Sequence, residues 1–124
     1  MARVLVISQH IRLRSLLTVV LTRSGYEAEA VISRAEAMPI VTKEMPDLVI
    51  LDLYLGDEPG LDLASDLHAL HPQLPMLLIS STVLDSALPE EDIHAAAQLG
   101  INIFQRSIPS HDFHSLIHAL LTQA

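Results

Sequence analysis

Residues 46–55 read Pro-Asp-Leu-Val-Ile-Leu-Asp-Leu-Tyr-Leu, a stretch in which an uninterrupted apolar run stops at the carboxylate of Asp52. A short run of Leu, Val and Ile without polar alternation is typical of a strand that is buried on both faces of a parallel sheet. The stretch therefore predicts a central strand over residues 48–52. Because binding groups in such sheets lie where the strands end, Asp52 is the first candidate functional residue.

The same alternation of strand-like and helix-like segments continues on both sides of this stretch. Further strands are predicted at 4–7, 26–31, 75–80 and 101–105. Helices are predicted at 11–24, 61–70, 90–100 and 110–121, and one more helix is predicted to begin at a capping box at Ser33. A loop is predicted at 56–60. Five successive strand–helix units imply an α/β fold, with helices covering both faces of a doubly wound, five-stranded parallel sheet. We expect a single domain over residues 1–124.

The composition excludes several classes of function. Fifteen acidic residues against seven basic ones give a net charge of −8, which repels phosphate backbones and argues against nucleic-acid binding by this domain. The absence of cysteine excludes disulfides and thiolate metal sites. The longest apolar runs are strand-sized and the N-terminus lacks a signal-peptide profile, so we expect a cytoplasmic protein that does not enter the membrane.

The loops after the predicted strands contain the remaining polar candidates. They are Ser8-Gln9-His10, Asp52-Leu53-Tyr54, Ser80-Ser81 and Gln105-Arg106-Ser107. The loop after the first strand has no glycine, which excludes a P-loop or dinucleotide fingerprint there. Ser8, His10 and Asp52 could be combined into a hydrolase triad, but no Gly-x-Ser-x-Gly elbow supports one, and we do not expect an enzyme.

The stretch 46–55, with Gly60-Leu-Asp-Leu-Ala after it, resembles the third-strand region of bacterial response-regulator receiver domains. Arg3-Val-Leu-Val-Ile, Ser24-Gly-Tyr-Glu and Ala95-Ala-Ala-Gln-Leu-Gly extend the resemblance along the whole chain. The resemblance implies a flavodoxin-like (βα)5 fold with strand order 2-1-3-4-5. It also implies a part in two-component, phosphorelay signal transduction.

In that family a histidine kinase supplies a phosphoryl group to the aspartate that ends the third strand. An acidic pair after the first strand holds Mg²⁺, together with that aspartate and a main-chain carbonyl two residues beyond it. A hydroxyl after the fourth strand and a lysine after the fifth contact the phosphoryl oxygens. Metal and lysine supply the positive charge that phosphoryl transfer between anions needs.

Four positions of this sequence match that pattern. Asp52 stands at the phosphoacceptor position, and Tyr54 supplies the main-chain carbonyl two residues further on. Ser80 matches the hydroxyl after the fourth strand, and Phe104 matches the aromatic residue that the family uses as a rotameric switch.

The charged partners of the phosphoacceptor are absent from the matching positions. The acidic-pair positions hold the neutral residues Ser8 and Gln9, and the lysine position holds Ser107. With one charged ligand where the family has three, Mg²⁺ binding is expected to be weak or absent, and we predict no metal or other cofactor. The chain is therefore interpreted as a degenerate receiver, a pseudo-receiver that acts as a protein-interaction module.

Two alternatives stay open. In the first, Asp52 is still phosphorylated in a rearranged site, to which Arg106 contributes a cation, Asp57 or Glu58 a carboxylate, or His10 a direct contact. In the second, the chain binds a small molecule. The lack of glycine and aromatic residues in the first loop weakens that second interpretation.

The expected docking face is formed by the fourth helix, the fifth strand and the fifth helix, the face through which receivers contact their partners. A protein partner is expected there, with a second copy of the chain or a histidine kinase as candidates. On the fifth helix His111, His114 and His118 share one side, and Phe113, Leu116, Ile117, Leu120 and Leu121 face the sheet. The histidines are interpreted as a solvated face, with a transition-metal site or a pH-sensitive interface as alternatives.

Overall fold

The computed structural model describes residues 2–55, 58–79, 90–104 and 111–122, apart from the side chains of Glu90, Phe104 and His111. In chain order the elements are β1 (Arg3–Ile7), α1 (Ile11–Arg23), β2 (Glu27–Val31), α2 (Arg34–Lys43), β3 (Leu48–Asp52), β4 (Tyr54–Leu55), β5 (Glu58–Pro59), α3 (Gly60–Leu70), β6 (Met76–Ile79), α4 (Glu90–Gln98), β7 (Asn102–Phe104) and α5 (His111–Thr122). None of these helices is both long and apolar enough to cross a membrane.

Five parallel strands form the main sheet, in the order β2-β1-β3-β6-β7. Counted among the five predicted strands this is 2-1-3-4-5, so the predicted α/β fold and its strand order are confirmed. The strand β3 has the predicted bounds, and its register brings Leu51 opposite Ile7 of β1.

The core has two layers because successive residues of each strand point to opposite faces of the sheet. From β3, Leu48 and Ile50 pack with α1 and α5, whereas Val49 and Leu51 pack with α2, α3 and α4. The burial of all of β3 explains why its sequence shows no polar alternation.

The connection from β3 to α3 differs from the predicted loop at 56–60. The two-residue strands β4 and β5 pair antiparallel, and α3 already begins at Gly60. The N–H of Gly60 donates to the carbonyl of Leu53 at 2.7 Å, which closes this hairpin at its base. Strands of two residues are too short to show a periodic pattern, so the prediction of a plain loop was wrong here.

The helix start predicted at Ser33 is confirmed, and a glycine follows the end of α1. The Ser33 hydroxyl accepts a hydrogen bond from the N–H of Glu36 at 3.4 Å, and the Glu36 carboxylate accepts one from the N–H of Ile32 at 2.8 Å. Gly25, which follows the C-cap of α1, has a φ of 91°, a conformation that favours glycine.

The helix α5 divides into the two predicted faces. Phe113, Ile117 and Leu120 are buried against the sheet, whereas His114 and His118 are exposed. Among the residues that the structure describes, no group of three metal-ligating side chains occurs, so this helix has no complete transition-metal site there.

Candidate functional site

Asp52 and Ser8 lie side by side at the carboxyl edge of the sheet. Because Ile7 of β1 pairs with Leu51 of β3, the residues that follow them, Ser8 and Asp52, lie next to each other at the end of the two strands. Both side chains are buried, with 1% of Asp52 and none of Ser8 exposed. The sheet thus brings the predicted phosphoacceptor position against the first of the two predicted acidic-pair positions.

Both oxygens of the Asp52 carboxylate accept hydrogen bonds from neutral donors. The Ser8 hydroxyl donates to Oδ2 at 2.9 Å, and the main-chain N–H of Tyr54 donates to Oδ1 at 3.3 Å. The Ser8 oxygen in turn accepts from the N–H of His10 at 3.0 Å. A buried carboxylate needs such partners, and here two neutral groups supply them.

The loop after β1 is held by Arg14 of α1, a residue that the sequence did not mark as part of the site. Its guanidinium Nη1 donates to the carbonyl of Ser8 at 2.8 Å. The N–H of Ser8 donates to the carbonyl of Val31 at 3.0 Å. The backbone of Ser8 is therefore fixed on both sides, which orients its hydroxyl toward Asp52.

The donor set around Asp52 does not suit the Mg²⁺ that the resemblance implies. Mg²⁺ prefers hard, anionic oxygen ligands in an octahedral arrangement. The Ser8 hydroxyl gives its hydrogen to Asp52 and receives one from His10, and the side chain of Gln9 is neutral and exposed. Within the described part of the chain, Asp52 belongs to no group of three or more Asp, Glu, His or Cys side chains that could hold a metal ion.

Glu58, one of the two acids considered as a replacement ligand, is held by a different residue. Arg34 at the start of α2 donates to its Oε2 from Nε at 2.8 Å and also from Nη2, and it donates to Oδ2 of Asp66 on α3 at 2.6 Å. The hydrogen bonds with Glu58 and then Asp66 raise the pKa of the Arg34 guanidinium above its ordinary value. The cluster ties the β4–β5 hairpin to two helices.

Several predicted residues fall where the structure gives no side-chain description. Ser80, Arg106, Ser107 and Asp57 lie outside the described residues, and so does the side chain of Phe104. The backbone of Phe104 is placed on β7, opposite Ile79 of β6. The edge of the sheet thus assembles Ser8, Gln9, Asp52 and Tyr54 from the predicted set, with the side chains of His10 and Tyr54 exposed.

Comparisons with known proteins identify the family of the chain. Residues 4–104 match the family described as the response regulator receiver domain. The virulence transcriptional regulatory protein PhoP of Salmonella typhimurium is 36% identical over 81 residues, which cover 65% of this chain and 36% of that protein. The PhoP of Salmonella typhi matches equally well. The matching region is about a third of the length of these curated relatives.

Solved structures show the same fold. A CheY-like receiver domain protein from Methanospirillum hungatei superposes with a TM-score of 0.85 over 98% of this chain and 94% of its own, at 20% identity. TrrA from Thermotoga maritima, in complex with Mg²⁺ and BeF, gives 0.81 over 97% and 99%, at 21% identity. The non-phosphorylated HemR receiver domain from Leptospira biflexa gives 0.79 over 100% and 97%, at 25% identity.

Proposed function

This chain belongs to the response-regulator receiver-domain family of two-component signal transduction, and from that premise we propose that it is a pseudo-receiver. It acts by binding a protein partner and not by Mg²⁺-dependent phosphorylation of Asp52. The observation that carries the proposal is the buried hydrogen bond from the Ser8 hydroxyl to the Asp52 carboxylate.

The proposal follows from the charges around Asp52. Transfer of a phosphoryl group to a carboxylate brings two anions together and needs cations on the moving oxygens. The neutral residues Ser8 and Gln9 occupy the positions that would hold a metal, and Glu58 is engaged by Arg34. A phosphoryl group bonds to one carboxylate oxygen of Asp52, so it would displace the donor that this oxygen now has, the Ser8 hydroxyl on Oδ2 or the Tyr54 N–H on Oδ1.

The test is the intact mass of the protein after incubation with acetyl phosphate and MgCl2. The Asp52→Asn variant is treated in parallel, because it has a closely similar shape and cannot accept the group. We expect no added phosphate on either protein. An added phosphate on the parent and not on the variant would reject the pseudo-receiver and favour the rearranged, phosphorylatable site.

The partner face that we propose is formed by α4, β7 and α5. On its α5 part His114 and His118 are exposed, whereas the apolar residues of the same helix are used in the core. The charge of −8 favours a protein partner over nucleic acid for this domain. We also propose that the domain works in the cytoplasm, where a histidine kinase is a second candidate partner.

A further inference from the structure

Charge is distributed unevenly along this chain. Residues 1–26 contain four arginines and no acidic residue, whereas residues 27–124 contain all 15 acidic residues and the other three basic ones. An acidic protein therefore carries one basic segment, and three of its four arginines lie on the helix α1. Charge asymmetry of this kind points to an interaction that uses it.

The outer face of α1 combines this positive charge with exposed apolar side chains. Ile11 is 68% exposed and Val19 is 47% exposed, and Arg12 and Arg23 are exposed as well. At about 100° per residue these four positions fall within about 120° of one another around the helix axis. We call them, with Ser15 between them, the α1 face.

Acidic residues of the adjoining strand do not neutralise the α1 face. Glu27 and Glu29 lie on β2, but the alternate residues Ala28 and Ala30 pack into the core layer that contains α1. Since successive side chains of a strand point to opposite sides, the two glutamates point away from α1. The α1 face thus presents its arginines without a carboxylate from β2.

An exposed carboxylate and exposed apolar side chains lie together on α4. Glu91 and Ile93 are exposed, Ile93 to 42%, and with His94 and Ala97 they line a shallow, open depression. We call these four residues the α4 face; the half-buried Asp92 lies on the other side of the helix, one turn before the buried Ala96. The helices α1 and α4 pack on opposite faces of the sheet, so the two faces cannot meet within one copy of the chain.

We propose that the α1 face of one copy docks on the α4 face of a second copy. Arg12 opposes Glu91, and Ile11 and Val19 cover Ile93 and Ala97. Charges of both signs and apolar residues are then matched at a single interface. At physiological ionic strength, charges farther apart than about 8 Å are screened, so the net repulsion between two acidic copies opposes this contact only weakly.

This interface is head to tail, because each copy offers two different faces. Such an interface leaves one face free at each end and continues into longer assemblies, unless the rotation closes a ring. The inference extends the proposal of an interaction module, since it assigns an occupant to part of the proposed partner face. It predicts association beyond a dimer, which a symmetric α4–β7–α5 pair would not produce.

The test is the weight-average mass by sedimentation equilibrium, measured up to millimolar concentration. For the parent we expect the mass to rise above twice the 13.6 kDa of one chain. Arg12→Glu and Glu91→Arg each place like charges across the interface and should keep the protein at the mass of one chain. The double variant carries the exchanged pair and should associate again.

Two matched charge reversals outside the faces serve as controls. Lys43→Glu on α2 and Glu29→Arg on β2 change the net charge as much as the tested reversals do, and both should behave like the parent. Arg23→Glu repeats the test at the second arginine of the α1 face. Circular dichroism and thermal unfolding confirm that every variant is folded.

Three results would overturn the proposal. These are a parent that stays at the mass of one chain, a single reversal that associates like the parent, and a double variant that does not recover association. The readout is independent of phosphate uptake by Asp52, so the failure of this proposal is distinguishable from the failure of the pseudo-receiver proposal.

Discussion

The hydroxyl of Ser8 donates a hydrogen bond of 2.9 Å to Oδ2 of Asp52, across two neighbouring strands and in a site closed to solvent. This contact replaces one of the charged neighbours that a phosphoaccepting aspartate has in the family. It also joins β1 to β3 at the carboxyl edge of the sheet.

Removal of the Ser8 hydroxyl should destabilise the domain. In Ser8→Ala the buried Oδ2 of Asp52 and the N–H of His10 each lose a partner, which should lower the free energy of unfolding by about 1–3 kcal/mol. Urea unfolding measures the change. Ser15→Ala on the exposed side of α1 removes an equivalent hydroxyl and should change the stability by less than about 0.5 kcal/mol. Equal effects of the two substitutions would argue against the buried contact.

Restoring the two acidic positions should create dependence on a divalent cation. In Ser8→Asp/Gln9→Asp two carboxylates join Asp52, and their repulsion should lower the thermal unfolding temperature in metal-free buffer. Millimolar MgCl2 should raise that temperature again, because a ligand that binds the folded state stabilises it. The parent should show no comparable response. A parent that responds to MgCl2 as strongly as the variant would mean that the neutral site already holds the metal.

Gly60 should be the least replaceable of the described glycines. A Cβ at this position would lie 2.2 Å from the main-chain oxygen of Asp52 and 2.9 Å from Cα of Leu53. Both contacts are with backbone, so Gly60→Ala must move α3 or the end of β3, at a cost of at least about 2 kcal/mol. Gly25→Ala has open space around the new methyl group and should cost about 1 kcal/mol, because only its left-handed φ is unfavourable. Chemical denaturation of both variants measures the two losses of stability. A larger loss for Gly25→Ala than for Gly60→Ala would contradict the close approach of Gly60 to the backbone of Asp52 and Leu53.

The ion pair between Arg34 and Glu58 should make a modest contribution to the free energy of unfolding. A double-mutant cycle of Arg34→Met and Glu58→Gln should give a coupling of about 1 kcal/mol, because both side chains are partly exposed and the pair is screened by solvent. The raised pKa of Arg34 keeps it charged up to strongly alkaline pH, so its contribution is present at neutral and mildly alkaline pH. The coupling should fall when the salt concentration is raised, because dissolved ions screen a partly exposed ion pair. A coupling that is unchanged at high salt would show that the contact is not an ion pair.

The local parts of the fold were predictable because their causes are local. The apolar run that forms β3, the apolar side of α5 and the capping residues Ser33 and Glu36 all act through neighbours within a few positions. The five strand–helix units and the strand order were also correctly expected. The hairpin of β4 and β5 was missed, since two residues per strand are too few for a period to appear.

The sequence also predicted which residues occupy the positions of the candidate site, but it did not predict which of their side chains are in contact. Neutral residues at positions 8 and 9 and a serine at position 107 follow from the chain itself once the resemblance is recognised. The hydrogen bond between Ser8 and Asp52 joins residues 44 positions apart, and the contact of Arg34 with Glu58 joins residues 24 positions apart. Such pairs depend on sheet register and helix placement, which a reading of local patterns does not contain.

By itself, the sequence determined that this protein is an α/β domain of receiver type and that its central aspartate lacks the usual acidic neighbours. Hydrophobic periodicity is sufficient for the α/β fold class. The receiver type follows from the family resemblance of residues 46–55, and the missing acidic pair follows from the residues at positions 8 and 9. Only the tertiary structure decided that the Ser8 hydroxyl donates to the Asp52 carboxylate, that Arg34 binds Glu58, and that α1 and α4 lie on opposite faces of the sheet. These relationships arise because the sheet aligns distant strands and assigns each helix to one of its two faces.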